Sequence, residues 1–305
     1  MIQEPMELGR PVRSTAGSGS APERAACVIG WPVKHSRSPL IHRYWLRQNR
    51  IAGDYRIEEI TDAEFASFVQ NLGARGYVGA NVTIPHKEAA LVLSEPDDRA
   101  RAVGAANTLW FDGDRLRATN TDVEGFLGNL DAGVPGWDRD LRAVAVLGAG
   151  GSARAVIFGL LERGAGQVFV FNRTHGKAEA LRERFGDRVW PMPWADMPAH
   201  LGQVNVLVNT TPLGMTGQPP LDVNVAALRK SAVVGDLVYA PLKTALLSQA
   251  EQQGLRTADG LGMLLHQAVR GFALWFGVTP QVTAELRALV EADLTRRQSP
   301  PSRAQ

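Results

Sequence analysis

The stretch RAVAVLGAGGSA, residues 142–153, decides how the chain is read. Arg142–Leu147 is a short apolar run with no alternation, the kind that is buried on both faces of a parallel sheet. Gly148–Ser152 is glycine-rich, and Ala153–Arg163 reads as a helix. Strand, glycine turn and helix in that order form the G-x-G-x-x-A version of a dinucleotide fingerprint. Gly148 permits the tight turn, Gly150 lets backbone approach a pyrophosphate, and Ala153 allows helix and sheet to pack closely. The helix start supplies unpaired N–H groups and partial positive charge for phosphates.

Towards the C-terminus the alternation continues. Gln167–Phe171 reads as a strand and Lys177–Phe185 as a helix. Val204–Val208, Ala232–Leu237 and Leu255–Ala258 are further apolar strands, with Leu242–Gln252 helical between the last two. This pattern predicts a doubly wound parallel sheet. Two helices close the chain, Leu261–Phe276 and Gln281–Arg296, the second opened by Pro280. Towards the N-terminus lies a second α/β unit. Its strands are Cys27–Gly30, Asp54–Ile60 and Tyr77–Ile84. Its helices are Pro39–Asn49, Asp62–Leu72 and one from about His86. Thr108–Arg117 alternates around Asp112-Gly113 as a hairpin, and Val123–Leu130 is helical.

Bulk properties fit a soluble two-domain protein. The chain has 305 residues, 45% apolar and 21% charged, with a formal charge of +2. Basic residues are dispersed, so nothing favours nucleic acid or a membrane surface. No apolar run is long enough to span a bilayer. The single cysteine, Cys27, sits in an apolar run and reads as a buried strand residue in a reducing compartment. Residues 1–24 lack the apolar core of a signal peptide, and Glu4, Glu7 and Glu23 argue against a transit peptide. They are expected to be a disordered tail, with residues 298–305 frayed. No metal site is expected.

Four polar segments are candidates for chemistry. In Ser36-Arg37-Ser38-Pro39, Ser38 reads as an N-cap and Pro39 as the first helical residue, so hydroxyls and free N–H groups converge where a small carboxylate would bind. NVTIPHK (81–87) ends a strand and places Lys87 at the C-terminal sheet edge, where open α/β sheets bind ligands. Asp122 is by default the cap of the next helix, or else the carboxylate that orients Lys87. Asn107-Thr108 offers an amide and a hydroxyl to a polyhydroxylated ligand. After the QVFVF strand stands Asn172-Arg173-Thr174, with no acid for ribose hydroxyls. Arg173, with Lys177 one turn on, suits a 2′-phosphate, so NADP is the expected cofactor.

In combination these segments resemble the shikimate dehydrogenase family. The match runs from about residue 26 to about residue 280 through HSRSP (35–39), NVTIPHK (81–87), GAANT (104–108), NTD (120–122), GAGGSAR (148–154), NRT (172–174), NTTPLGM (209–215), DLVYAPLKT (236–244) and DGLGMLLHQA (259–268). The resemblance implies that Lys87 and Asp122 are the catalytic pair. It implies that Ser36 and Ser38 hold the substrate carboxylate, with Thr83, Asn107, Asp122, Tyr239 and Gln267 around the rest of the substrate. It further implies an NADP site made by Gly148, Ala149, Gly150, Gly151, Ser152, Asn172, Arg173, Thr174, Lys177 and Thr210, with Gly260 and Met263 beside the nicotinamide. The implied organisation is a discontinuous substrate domain, 25–122 plus 261–297, around a Rossmann-type cofactor domain, 123–260. Lys177 departs from the arginine of many members and loses bidentate geometry.

The expected activity is cytoplasmic, reversible NADPH-dependent reduction of 3-dehydroshikimate to shikimate by a monomer or homodimer. A quinate or quinate/shikimate dehydrogenase using NAD is the near alternative, and an aminoshikimate dehydrogenase a further one. A non-catalytic NADP-binding regulator on the same fold is the alternative from another class.

Overall fold

The computed structural model describes residues 24–298. The two tail expectations therefore fall outside the described residues, except at Arg24 and Gln298, which belong to the first strand and the last helix.

The first sheet is built from β1 (Arg24–Gly30), β2 (Gly53–Glu59), β3 (Tyr77–Val82), β4 (Glu95–Pro96), β5 (Thr108–Asp112) and β6 (Arg115–Thr119). Between them lie α1 (Ser38–Gln48), α2 (Asp62–Gln70), α3 (Lys87–Val92) and α4 (Asp98–Val103). The strand order is β2-β1-β3-β5-β6-β4, with β1 parallel to both neighbours and β5 antiparallel to β3 and β6. The helix α5 (Asp122–Gly133) leads into the second sheet. That sheet holds β7 (Ala143–Leu147), β8 (Gln167–Asn172), β9 (Val189–Pro193), β10 (Val206–Asn209), β11 (Val233–Asp236) and β12 (Arg256–Ala258). Its helices are α6 (Gly151–Glu162), α7 (His175–Phe185), the short α8 (Met197–His200) and α9 (Ala245–Gln252). All its pairings are parallel, in the order β12-β11-β10-β7-β8-β9, the doubly wound arrangement that the alternation predicts. The chain then returns through α10 (Gly260–Phe276) and α11 (Ala284–Gln298), which pack on the first sheet.

The apolar runs follow from coverage of both sheet faces. In β7, Val144 and Val146 pack with Phe126 of α5 and Val156 of α6, while Ala145 and Leu147 pack against Leu246 and Leu247 of α9. In β1, Ala26 and Val28 meet α1 and α10, whereas Cys27 and Ile29 meet Phe65 and Phe68 of α2. Cys27 is buried there, and burial pushes its thiol pKa up.

Three details differ from the sequence expectation. The last helix starts at Ala284, four residues beyond Pro280, because Thr283 Oγ1 accepts the N–H of Leu286 and sets the helix start there. The strand β9 has no counterpart in the expectation; its Pro191 and Pro193 are tolerated because it is an edge strand. The short elements β4, α4 and α8 likewise have no counterpart in the expectation. No helix among the described residues is long and apolar enough to cross a membrane.

One buried group couples stability to pH. His42 of α1 stacks on Tyr55 at 4.1 Å, and neither ring nitrogen has a hydrogen-bond partner among the described residues. Burial pushes its pKa from 6.5 down to about 3, against the opposing influence of the nearby Asn81 side chain. Between those values the unfolded chain binds a proton that the native chain excludes, so stability falls as pH falls through that window. His42→Phe keeps the stack and removes the proton. Its urea midpoint is expected to fall less between about pH 7 and about pH 5 than that of the wild type. Parallel falls in the two proteins would show that His42 contributes nothing to the slope.

Candidate active site

The loop from β1 to α1 carries Ser36 and Ser38. Ser36 Oγ accepts the backbone N–H of Ser38 at 3.2 Å, while the cap position itself is Arg37, whose side chain makes no cap bond. Ser38 is the first helical residue with Pro39 after it, so the helix starts one residue earlier than expected and Ser38 is not its cap. Between the serines, the buried Arg37 turns away and pairs with Asp293 of α11 at 2.8 Å, which ties the loop to the end of the chain.

Three further segments meet beside this loop. Lys87 opens α3 directly after β3, and Asp122 opens α5 directly after β6. Asp122 is therefore a helical residue rather than the cap, and its carboxylate is used elsewhere. Lys87 Nζ donates to Asp122 Oδ2 at 2.5 Å, and Asn107 Nδ2 donates to Asp122 Oδ1 at 2.8 Å. Asn107 is held in turn by the backbone N–H of Thr121, which donates to its Oδ1 at 2.8 Å. Asn107 and Asp122 are buried, whereas the lysine side chain stays 20% exposed, enough to be reached from the cleft.

A cleft of about 440 Å³ unites these groups. Ser36, Ser38, Thr83, Lys87, Asn107 and Asp122 line it from the first sheet. Tyr239, Gly260, Met263, Gln267 and Ser152 line it from the loop after β11, from α10 and from the start of α6. Burial raises the Tyr239 phenol pKa, so it stands as a neutral hydroxyl. The cleft also includes Asn81, which opens the NVTIPHK segment but has no role in the sequence reading, together with Trp31 and Leu237. Asn81 had a signal, a polar amide within an otherwise apolar strand. His86 goes the other way: its ring stacks on Phe65 and contacts the Ile60 carbonyl and Asp62, so it is structural.

The glycine-rich turn follows β7. Gly148 has φ +102°, and a Cβ there would lie 2.8 Å from Thr211 Cγ2. At Gly150 and Gly151 an added Cβ would meet nothing within 4 Å. They border a groove of about 820 Å³ that also includes Ala149, Arg154, Lys177 and Arg184. Open space, an uncapped helix start and a lining in which Arg101, Lys177 and Arg184 accompany Glu88 and Glu183 fit the phosphates of a dinucleotide. Ala149 to Gly151 face this groove and Ser152 faces the cleft, so the first turn of α6 belongs to both. Arg173 and Thr174 are exposed at the C-terminal end of β8 and do not line the groove, and the half-buried Asn172 donates to the Thr174 carbonyl. Thr210 spends its hydroxyl on the Leu147 carbonyl at 2.7 Å, bracing the turn.

Three family models match the chain. Residues 28–109 match the shikimate dehydrogenase substrate binding domain, 138–214 match shikimate / quinate 5-dehydrogenase, and 260–289 match the shikimate 5′-dehydrogenase C-terminal domain. The shikimate dehydrogenase (NADP(+)) of Rhodopseudomonas palustris strain TIE-1 is 66% identical over 275 residues, which are 90% of this chain and 99% of that protein. The chain belongs to the shikimate dehydrogenase family. Among solved structures, the Thermus thermophilus shikimate 5-dehydrogenase in complex with NADP(H) and shikimate is 34% identical, with TM-score 0.78, covering 90% of this chain and 99% of that one. The Corynebacterium glutamicum quinate dehydrogenase in complex with NAD is 30% identical, with TM-score 0.82, covering 88% and 99%. The fold is thus common to shikimate and quinate dehydrogenases.

The two turn glycines are expected to separate experimentally. Gly148→Ala forces a side chain into a left-handed, crowded position and should cost about 1–3 kcal/mol of stability. Gly150→Val has room and an ordinary φ of −89°, so folding should be nearly unaffected while dinucleotide binding weakens by about tenfold or more. Thermal melts and cofactor titrations check both. Unchanged cofactor affinity in Gly150→Val would place the phosphates elsewhere.

Proposed function

We propose that this chain catalyses the reversible NADPH-dependent reduction of 3-dehydroshikimate to shikimate, with Lys87 and Asp122 as its acid–base pair. The observation that carries the mechanism is the Lys87–Asp122 contact at 2.5 Å in the wall of the cleft. The relative at 66% identity, named as an NADP-dependent shikimate dehydrogenase, supports the substrate and the cofactor. The membership of the two sheets supports a substrate domain of 25–122 plus 261–297 and a cofactor domain of 123–260.

Ser36 and Ser38 hold the substrate carboxylate by hydroxyl donation, and Thr83, Asn107, Tyr239 and Gln267 receive its ring hydroxyls. This fixes the ketone towards Met263 and Gly260, where the nicotinamide would lie. NADPH, when bound with its phosphates over Gly148–Ser152, supplies the hydride. Lys87 Nζ donates a proton to the carbonyl oxygen as negative charge develops there. Asp122 holds the ammonium in place and stabilises its charge; in the reverse direction Lys87 takes the proton back. Asn107 keeps the Asp122 carboxylate oriented towards Lys87.

Turnover of shikimate and quinate with NADP+ and with NAD+, read at the nicotinamide absorbance, tests the assignment. Shikimate with NADP+ is expected to be the preferred pair, and preference for quinate with NAD+ would overturn it. Lys87→Ala should lower kcat by roughly 10²–10⁴-fold and leave cofactor affinity unchanged. Asp122→Asn should behave similarly, and the double variant should lose little more than either single one. Additive losses would separate the two residues.

Cofactor choice rests on Arg173, which makes no ion pair among the described residues, and on Lys177 at the groove edge. Arg173→Ala is expected to weaken NADP by about 1.5–3 kcal/mol, or one to two decades, and leave NAD nearly unchanged. Lys177→Ala should do the same more weakly. Equal weakening of both cofactors would remove Arg173 from the selectivity.

A further inference from the structure

Behind the cleft, Tyr55 lies fully buried in β2, in none of the motifs that carry the family resemblance. Its hydroxyl contacts Asn81 Oδ1 at 2.6 Å. The other end of the Asn81 amide lies 3.3 Å from the Asn107 carbonyl and 3.1 Å from Thr108 Oγ1. A carbonyl accepts and never donates, so the atom facing it must be the Asn81 NH2. Oδ1 therefore faces Tyr55, and the phenol must be the donor. Two amide hydrogens are committed to Asn107 and Thr108, and one Oδ1 lone pair is committed to Tyr55. One Oδ1 lone pair is left on Asn81, on an amide that also lies near the His42 ring, whose nitrogens make no hydrogen bond of their own among the described residues.

We propose that Tyr55 is a positioning residue that holds Asn81 in the orientation the Asn107 carbonyl selects, so that this wall of the cleft offers an acceptor to a ligand hydroxyl. The proposal rests on the reading of the cleft as the site of a polyhydroxylated substrate. Burial supports it from a second side. The phenol pKa is pushed well above its ordinary value, so Tyr55 keeps its proton, and the Ser38 side chain lies close enough to oppose that shift. Without the phenol, Asn81 Oδ1 is left buried without its donor, and rotation of the amide becomes its route to new partners. The consequence falls on ground-state binding rather than on the proton transfer, because Asn107 and Asp122 retain the Thr121 N–H and Lys87 contacts.

The test is Tyr55→Phe, which keeps the ring and its stack on His42. The shikimate KM is expected to rise about three- to tenfold, with kcat within about twofold and NADP affinity unchanged. In an Asn81→Ala background the same change should have no further effect on KM. The structural half is read without substrate: the Asn81 side-chain amide protons, followed by NMR hydrogen exchange, should exchange at least about tenfold faster in Tyr55→Phe. An unchanged exchange rate overturns the proposal whatever the substrate is. Faster exchange with an unchanged KM overturns the link from Asn81 to substrate, and additive KM changes do the same. Absence of wild-type turnover with shikimate would instead refute the substrate assignment, leaving the exchange measurement to decide the role of Tyr55.

Discussion

The Asp122 carboxylate is held from two sides, by Lys87 at 2.5 Å and by Asn107 at 2.8 Å, and the rest of the site is arranged around that shared anion. Each donor comes from a different strand end, Lys87 after β3 and Asn107 before β5. The carboxylate itself sits in the first turn of α5, where the helix dipole favours negative charge. Its position is then carried through α5. One residue in from the first turn, Gly125 packs so closely on α10 that a Cβ would lie 2.6 Å from Gln267 Cβ and 2.8 Å from the Met263 carbonyl. Further along, Phe126 packs with Val156 and Leu160 of α6. Because side chains cannot interpenetrate, the anion, the cleft face of α10 and the glycine-rich helix are set by one another.

Much of this was legible in sequence because it depends on local patterns. The cofactor-binding sheet shows itself as apolar runs, since strands covered on both faces have no polar side. Gly148 and the helix after it could be read because a positive φ and an open helix start have few solutions in residue type. What could not be read is convergence. Lys87 and Asp122 are 35 residues apart, and Thr121 and Gln267 are 146 apart, with no periodicity connecting them. Local competition also hid detail: Ser38 looks like a cap by type, but it lies inside the helix and its own N–H is taken by Ser36 Oγ two residues earlier. Edge strands were missed for the opposite reason. The proline-containing β9 and the two-residue β4 lack the pattern that buried strands require.

Not every polar residue in the resembling motifs faces a ligand. Asn209 and Asp236 end adjacent strands, and Asn209 Nδ2 donates to Asp236 Oδ1 at 2.9 Å. Asn209 Oδ1 also accepts from Thr211, and Asp236 accepts from Thr244 at 2.7 Å and from the Val238 N–H at 3.0 Å. Burial raises the Asp236 pKa, and these three donors act against that rise. The pair cross-links the loops after β10 and β11, the second of which carries Tyr239 into the cleft. These residues thus shape the site from behind, as Tyr55 does on the opposite wall.

The two ends of the site differ in electrostatic character. At the substrate end the charges are paired and largely withdrawn from water, so their geometry is set before ligand arrives and salt screens them little. At the proposed adenosine end, Arg173 is exposed and has no ion pair among the described residues. Such a side chain must lose rotamer freedom on binding, which costs roughly 1–2 kcal/mol. It breaks no ion pair to do so, and a 2′-phosphate returns a charge-assisted contact that a ribose hydroxyl cannot match. Selectivity is a difference of affinities, so an unengaged cation that interacts strongly with one cofactor and hardly with the other contributes almost its whole interaction to discrimination. The same exposure leaves that discrimination open to screening by salt, whereas orientation of the reacting carbon by the buried groups is not. In the proposed assignment, turnover geometry and cofactor preference are therefore separable, because they rest on residues that share no contact.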